Sequence, residues 1–301
     1  EIGADNKVWI STTRSFVSPS DPGGQVLSSA DGITFTLETT VANGRRTEIA
    51  VSKTDPNKIY VLAQLTSGTN AVEIISTNDG FANQTSLPLP NDADTGIPET
   101  DFTRGQAYYD LVIEVDPTDD NIVYTGGIDL FKTTDGGSTW NQISKWSNNN
   151  ALAGLNVSYV HADQHAMAFG NNSASTVMFS HDGGISYSSD AGTTISERTK
   201  DYSTIQFYKG ALGPDVSPNE RILGGSQDNG NLESGVSTIP GANSFSDIWS
   251  GGDGAYVFID RDKKYMITSY VYNNYQYQDY NNPTGQISVY DIVEDENSGD
   301  F

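Results

Sequence analysis

The segment Thr133-Thr134-Asp135-Gly136-Gly137-Ser138-Thr139-Trp140 decides the fold expected for this chain. It has the form Ser/Thr-x-Asp-x-Gly-x-Thr-Trp, a pattern called an Asp-box. An Asp-Gly pair permits the positive φ angles of a tight hairpin turn, and the Asp and Thr oxygens can hydrogen-bond the backbone N–H groups of that turn. We expect the Trp to pack back beneath the hairpin.

The box recurs along the chain. Ser188 to Thr194 repeats the frame with Ile195 in place of Trp, Ser29 to Phe35 is one residue short, and Thr77 to Phe81 is a decayed copy. The intervals between the aspartates are 48, 56 and 55 residues (31 to 79, 79 to 135, 135 to 190). A period near 50 residues with strand-like content predicts a radial repeat. We interpret the box aspartates as structural turn residues: Asp31, Asp79, Asp135 and Asp190.

A second phrase, of the type Asp-Pro-x-Asn-x-Ile-Tyr-Val, recurs between the boxes. Its clearest copies are Asp55 to Val61 and Asp116 to Tyr124, and looser ones bring the number to six. Each copy predicts two short strands joined by a turn. Together with the box hairpin this gives a four-stranded antiparallel unit, and no window shows a helical period over a dozen residues.

These two periods predict an all-β fold, a β-propeller of about six four-stranded antiparallel blades with Asp-box hairpins. We assign residues 1–301 to a single propeller domain. Two alternatives stay open: a closed six-bladed ring, or an open, partial propeller that belongs to a longer chain extending at both ends.

The composition argues against several classes of partner and site. A formal net charge of −23 argues against a nucleic acid partner, because phosphate binding needs clustered Lys and Arg. No run of 18 apolar residues is present, which argues against membrane insertion. The absence of Cys excludes disulfides and thiolate metal sites. Richness in Gly and Tyr with only 3 Met is typical of an extracellular repeat protein, so we expect a secreted or cell-surface location.

The block from Arg104 to Gln276 resembles a bacterial sortilin-like family of Asp-box propellers, also called bacterial neuraminidase repeat proteins. The matching phrases are RGQAYYDLVIEVDP, TGGIDLFKTTDGGSTW, VHADQHAMAF, SHDGGISYSSDAGTT, QFYKGALGP, GGSQDNGN and DIWSGGDGAYVFID. The resemblance implies a large surface protein of Bacteroidetes exported by the type IX route, with further domains or secretion machinery as partners. The expected fold is also similar to that of xyloglucan-degrading glycoside hydrolases. This similarity supports a propeller fold more strongly than it supports glycoside hydrolase activity.

All three histidines lie within 21 residues. His161, Asp163 and His165 alternate, and on a β-strand alternate residues share a face. With His181 from the next strand, these residues are candidate ligands for Zn²⁺ or another divalent cation. The alternative is a hydrogen-bonded polar cluster that holds no ion.

A second constellation consists of aspartates beside glycines. Asp228 and Asp253 lie in the segments GSQDNG and GGDG, and with Asp163 and Asp182 they are candidates for the paired acids of glycoside hydrolysis. The alternative is turn geometry. Aromatic residues that can stack on sugar rings are Tyr208, Trp249, Tyr275 and Tyr277.

Three functions remain. The first is a module that binds a glycan or protein at one face of the propeller. The second is a glycoside hydrolase acting on a plant or algal polysaccharide. The third is a structural segment of a large type IX-secreted surface protein. The first is preferred because no complete catalytic set is visible.

Overall fold

The structure is a computed structural model. It describes residues 1–15, 17–18, 23–148, 150–170, 173–199, 205–215, 221–234, 245–249, 252–270, 274–281 and 288–291. For 150, 245–249, 274 and 288–291 it describes the backbone alone. The chain divides into two compact units, 1–199 and 200–301. The assignment of residues 1–301 to a single domain stays a prediction.

Unit 1 contains one three-stranded sheet and three four-stranded sheets, in which neighbouring strands are antiparallel and follow chain order. The first sheet consists of β1 (Val8–Ser11), β2 (Gln25–Ser29) and β3 (Thr36–Thr40). The second consists of β4 (Gly44–Val51), β5 (Ile59–Leu65), β6 (Val72–Thr77) and β7 (Thr85–Leu87). The third consists of β8 (Val112–Val115), β9 (Val123–Gly126), β10 (Leu130–Thr133) and β11 (Asn141–Gln142).

A short irregular region precedes the last sheet of unit 1. The strands β12 (Ser144–Lys145) and β13 (Ser158–Tyr159) pair in parallel and enclose a 3₁₀ helix, Asn150–Gly154. The repeat pattern did not predict this region. The fourth sheet follows with β14 (Gln164–Phe169), β15 (Val177–His181), β16 (Gly184–Ser188) and β17 (Ser196–Glu197).

Unit 2 contains two further four-stranded antiparallel sheets in chain order. The first consists of β18 (Phe207–Leu212), β19 (Ile222–Ser226), β20 (Gly230–Ser234) and β21 (Phe245–Trp249). The second consists of β22 (Gly254–Ile259), β23 (Tyr265–Tyr270), β24 (Asn274–Asp279) and β25 (Ser288–Asp291). The described part of the chain forms six meander sheets, which agrees with the predicted number, and the all-β fold of propeller blades is confirmed.

The core lies between consecutive sheets, as it must when each sheet has two faces to cover. Between the second and third sheets, Tyr60, Leu62, Phe102 and Phe131 pack in one buried cluster. Corresponding clusters join the first sheet to the second, the third to the fourth, and the two sheets of unit 2. Among the described residues, no helix has the length and apolar character needed to cross a membrane.

The box aspartates lie at hairpin turns and hold their own turns. Asp135 Oδ1 accepts hydrogen bonds from the Thr133 hydroxyl at 2.7 Å and the Thr139 N–H at 2.9 Å, and Oδ2 accepts the Thr139 hydroxyl at 2.6 Å. These donors lower the pKa of Asp135 to about 2. Asp31, Asp79 and Asp190 accept the same kinds of bond.

The residue at the end of the box packs into the core in the two most complete copies. The Trp140 Nε1–H donates to the Pro88 carbonyl at 2.9 Å, and its ring lies against the cluster around Tyr60. At the corresponding position of the next sheet Ile195 is 6% exposed and joins the neighbouring cluster, although it lacks an indole N–H. Packing therefore requires an apolar side chain here, and the Trp hydrogen bond is dispensable.

We expect Asp135→Ala to lower the midpoint of thermal unfolding, because it removes the carboxylate that accepts three hydrogen bonds within this turn. Circular dichroism during a thermal scan measures the effect. Glu99→Gln, at an exposed acid in the same unit, is the control and should leave the midpoint unchanged. Equal midpoints for both variants would contradict a structural role for Asp135.

Candidate functional site

Asp182 lies at the tip of a two-residue turn. The turn Asp182-Gly183 joins β15 to β16, and Gly184 closes it with a φ of 119°. A Cβ on Gly183 would lie 2.6 Å from the ring of His161, so only glycine fits there. The sequence His-Asp-Gly-Gly therefore places the Asp182 side chain at the end of the hairpin.

Two aromatic residues hold the Asp182 carboxylate. The Nε2 of His165 lies 2.5 Å from Asp182 Oδ1, and the Tyr109 hydroxyl lies 2.9 Å from Oδ1 and 3.0 Å from Oδ2. The Tyr109 and His165 rings meet edge to face, with centroids 4.7 Å apart. Because carboxylate oxygens accept and the Tyr hydroxyl donates, the orientation of Asp182 is fixed from two sides.

Asp163 is the second acid of the site. It precedes β14, and its φ of 66° is left-handed. The expected strand through His161, Asp163 and His165 is therefore wrong: β14 begins only at Gln164, and the side chains do not alternate along one face. Gln106 Nε2 donates to Asp163 Oδ1 at 3.2 Å. One oxygen of Asp163 and one of Asp182 lie within 4.8 Å of each other.

The segment 106–111 forms one wall of the site, and sequence reasoning missed it. Gln106 contacts Asp163, Tyr109 contacts Asp182, and Asp110 is fully buried with neither carboxylate oxygen hydrogen-bonded. Arg46 holds the segment from β4, since its guanidinium donates to the carbonyls of 109 and 111 at 2.6 and 3.2 Å. The available signal was a Tyr pair between Gln and Asp directly before a strand.

The acids of the site perturb one another. Burial raises the pKa of Asp163, the charge of Asp182 raises it further, and His161, His165 and the Gln106 hydrogen bond oppose the rise. Burial, reinforced by the charge of Asp163, raises the pKa of Asp110 to about 8. Both shifts follow from burying acids close to one another.

The histidines do not form the ligand set expected from the sequence. His161 and His181 stack with ring centroids 5.9 Å apart, His181 Nε2 lies 2.9 Å from the Ser186 hydroxyl, and burial lowers the pKa of His181 to about 4. His165 is paired with Asp182 instead. The four predicted ligands are His161, Asp163, His165 and His181. All four lie in the described part of the chain, and no three of them bring donor atoms within 4.8 Å of one another.

Asp228 and Asp253 lie in unit 2 and are close to each other. The Asp228 N–H donates to Asp253 Oδ1 at 3.1 Å, and Asp228 has a φ of 56° in the turn between β19 and β20. Tyr208 is 48% exposed on β18, and its pKa is raised by partial burial and by the charges of Asp253 and Asp228. These three predicted residues therefore gather at one place in unit 2.

The remaining aromatic candidates lie on another strand. Tyr275 and Tyr277 alternate on β24, so they share a face of the sheet. Tyr277 is 39% exposed, but its ring stacks on that of Tyr265 with centroids 5.2 Å apart, which covers one of its faces. The Trp249 side chain lies outside the described residues.

Comparisons with known proteins give matches among solved structures alone. No protein-family model matches the chain, and no curated protein matches it. Among solved structures, the GH74 enzyme of Niastella koreensis is 15% identical with a TM-score of 0.44, covering 96% of this chain and 44% of that one. The GH74 xyloglucanase of Xanthomonas campestris is 12% identical with a TM-score of 0.43, covering 96% and 44%. YCF48 from Cyanidioschyzon merolae is 12% identical with a TM-score of 0.41, covering 97% and 84%. The chain thus spans less than half the length of these two GH74 structures.

Proposed function

We propose that this protein is a glycan-binding module and that the ligand binds at Asp163, His165, Asp182 and Tyr109. One observation carries the proposal: two carboxylates, oriented by Tyr, His and Gln side chains, lie half-buried at the end of a rigid sheet. Carboxylate oxygens accept hydrogen bonds from sugar hydroxyls, and a preoriented set of acceptors binds without the entropic cost of ordering side chains.

Two exposed tyrosines close in sequence to site residues support a sugar ligand. Tyr108, next to Tyr109, is 63% exposed, and Tyr159 is 57% exposed two residues before His161. Exposed tyrosines and polar acceptors suit a ligand with both an apolar ring face and hydroxyl groups. A protein ligand would be the outcome if no glycan binds and a peptide or protein binds with the same dependence on Asp182.

A glycan array tests this function. We expect a defined set of plant or algal oligosaccharides to bind the wild-type protein, and Asp182→Asn to weaken binding at least about tenfold, which corresponds to about 1.4 kcal/mol. Asp262→Asn, at an acid whose side chain is 75% exposed in unit 2, is the matched control. Binding that Asp182→Asn and Asp262→Asn leave equally intact would exclude this site.

A glycoside hydrolase is the second candidate. Retaining glycosidases use two carboxyl groups about 5–5.5 Å apart, with the pKa of one raised so that it acts as an acid. Two observations favour this alternative. One oxygen of Asp163 lies within 4.8 Å of one oxygen of Asp182, and the pKa of Asp163 is raised, chiefly by burial. A reducing-sugar assay on plant and algal polysaccharides decides it. Turnover that Asp163→Asn abolishes would make the protein an enzyme.

We also propose a location outside the cell or at its surface, in a protein of the sortilin-like Asp-box type. The support is the recurring box turns and a composition rich in Gly and Tyr with only 3 Met. Protease treatment of intact cells tests the location: a surface protein is digested, whereas an internal one is protected until the cells are lysed.

A further inference from the structure

The two acids of unit 1 are spaced as ligands of one cation. Ca²⁺ binds carboxylate oxygens at 2.3–2.6 Å, so two oxygens bound to the same ion lie at most about 5 Å apart. One oxygen of Asp163 and one of Asp182 satisfy that limit, since they lie within 4.8 Å of each other. Two like charges held this close repel each other, and a cation between them would remove the repulsion.

Asp110 is a separate observation that points to a cation. Its side chain is fully buried, and neither of its carboxylate oxygens has a hydrogen-bond partner. It lies in the segment whose Gln106 and Tyr109 contact Asp163 and Asp182, and the charge of Asp163 contributes to the raised pKa of its carboxyl. Buried polar groups in native proteins are nearly always compensated, and this unpaired carboxyl lacks that compensation.

The donor atoms select the class of metal. The histidines do not converge with the acids as a Zn²⁺ site requires, since no His nitrogen of the described residues belongs to a group of three donors within 4.8 Å. His165 Nε2 pairs with Asp182, and His181 Nε2 contacts the Ser186 hydroxyl. Carboxylate oxygens remain, and these suit hard cations. Ca²⁺ tolerates irregular geometry, whereas Mg²⁺ demands a near-ideal octahedron.

We propose that Asp163 and Asp182 bind a Ca²⁺ ion, with Asp110 as the buried acid behind it. This site uses two of the residues proposed to bind the glycan, but Ca²⁺ binding is measured without a glycan, so either proposal can fail without the other. Water or ligand hydroxyls would supply the remaining oxygens, as is usual for Ca²⁺ sites with few protein ligands. We expect a dissociation constant of about 0.1–1 mM, the range of extracellular Ca²⁺ modules.

Isothermal titration calorimetry with CaCl₂ on the full chain, after dialysis against a chelator, tests the site. We expect the wild-type protein to bind Ca²⁺, and its unfolding midpoint to rise with Ca²⁺ concentration. Asp163→Asn and Asp182→Asn should each weaken the binding at least about tenfold, since each removes a charged ligand. Asp262→Asn should behave as the wild type does.

The control matters because a chain with a net charge of −23 attracts cations over its whole surface. Ca²⁺ binding that is equally weak in all four proteins, or equally reduced in all three variants, overturns the proposal. Tighter binding of Zn²⁺ that is lost in His161→Ala also overturns it, in favour of the histidine set. Thermal midpoints in chelator show whether the variants fold. If Asp182→Asn fails to fold, the Asp163→Asn result decides.

Discussion

Raising the pH from about 5 to about 8 will lower the free energy of unfolding of this protein, and Asp129 is a principal cause. The side chain of Asp129 is fully buried. It accepts hydrogen bonds from the Ser144 hydroxyl at 2.9 Å and from Gln142 Nε2 at 3.0 Å. Burial and, after it, the charge of nearby Asp92 raise the pKa of Asp129 to about 8, although these two hydrogen bonds oppose the rise.

The sign follows from proton binding. In the unfolded chain Asp129 has an ordinary pKa near 3.8 and is ionised above about pH 5. In the folded protein it remains protonated up to about pH 8. The folded state therefore holds one more proton than the unfolded state across this interval, and the free energy of unfolding falls as pH rises. The stabilisation is complete below the unfolded pKa and is lost as pH rises through the folded one.

The expected slope is about 1.4 kcal/mol per pH unit for one such group. Over three pH units this amounts to about 4 kcal/mol as an upper bound, because part of the burial relaxes when the group ionises. The pKa of Glu114 is also raised to about 8, mainly by burial, so the total slope exceeds that of one group. At low pH the opposite holds: the pKa of Asp135 is about 2, and its contribution is lost as pH falls from about 4 to about 2.

Urea unfolding at about pH 5, 6, 7 and 8 measures the slope. Asp129→Asn cannot ionise, so its slope should be shallower than that of the wild type by up to about 1.4 kcal/mol per pH unit. Glu99→Gln controls for the general repulsion of an acidic chain and should keep the wild-type slope. Equal slopes in wild type and Asp129→Asn would show that Asp129 is not protonated in the folded state.

The fold could be predicted from the sequence because each repeat contains a turn that is formed by residues close together in the chain. Asp135 and Asp190 bond only to residues within four positions of themselves, so their role is contained in an eight-residue segment. The parallel pair β12–β13 escaped prediction. It departs from the repeat and joins residues 14 apart, a pairing that no local pattern encodes.

The candidate site was predicted in part. Asp163, His165 and Asp182 do come together, because their segments are adjacent in one sheet. The proposed reason was wrong, since Asp163 has a left-handed backbone and lies before the strand. Tyr109 is 73 residues from Asp182 in sequence and reaches it from the preceding blade. Contacts of that range depend on blade packing, which periodicity alone does not specify.

Gly225→Ala will strongly destabilise unit 2. Gly225 lies in β19, and a Cβ there would be 2.2 Å from the carbonyl oxygen of Ala255 and 2.8 Å from its carbon. Both are backbone atoms, so no side-chain rotation can relieve the overlap, and strand β22 must move. Overpacking a core typically costs about 1–3 kcal/mol, and we expect this variant to lie at or above the upper end.

Gly210→Ala is the matched control in the same sheet. Its Cβ would lie 3.7 Å from the nearest atom, the Leu223 carbonyl oxygen, which is ordinary van der Waals contact. Because alanine loses less backbone entropy than glycine on folding, this control should be neutral or stabilising by up to about 1 kcal/mol. Urea unfolding followed by hydrogen exchange of β19 and β22 measures both variants. A difference below about 0.5 kcal/mol would refute the close approach.

The outcome also bears on the aspartates beside these glycines. If Gly225→Ala destabilises as expected, close packing of β19 against β22 is sufficient reason for glycine in the segment GSQDNG. Gly254 has the same constraint, with a Cβ position 2.1 Å from the Gly230 carbonyl oxygen. The glycines are then no evidence for a ligand at Asp228 and Asp253. A function for these two acids must be tested by substituting the acids themselves. Asp253→Asn, which keeps the acceptor for the Asp228 N–H, separates loss of charge from loss of the turn.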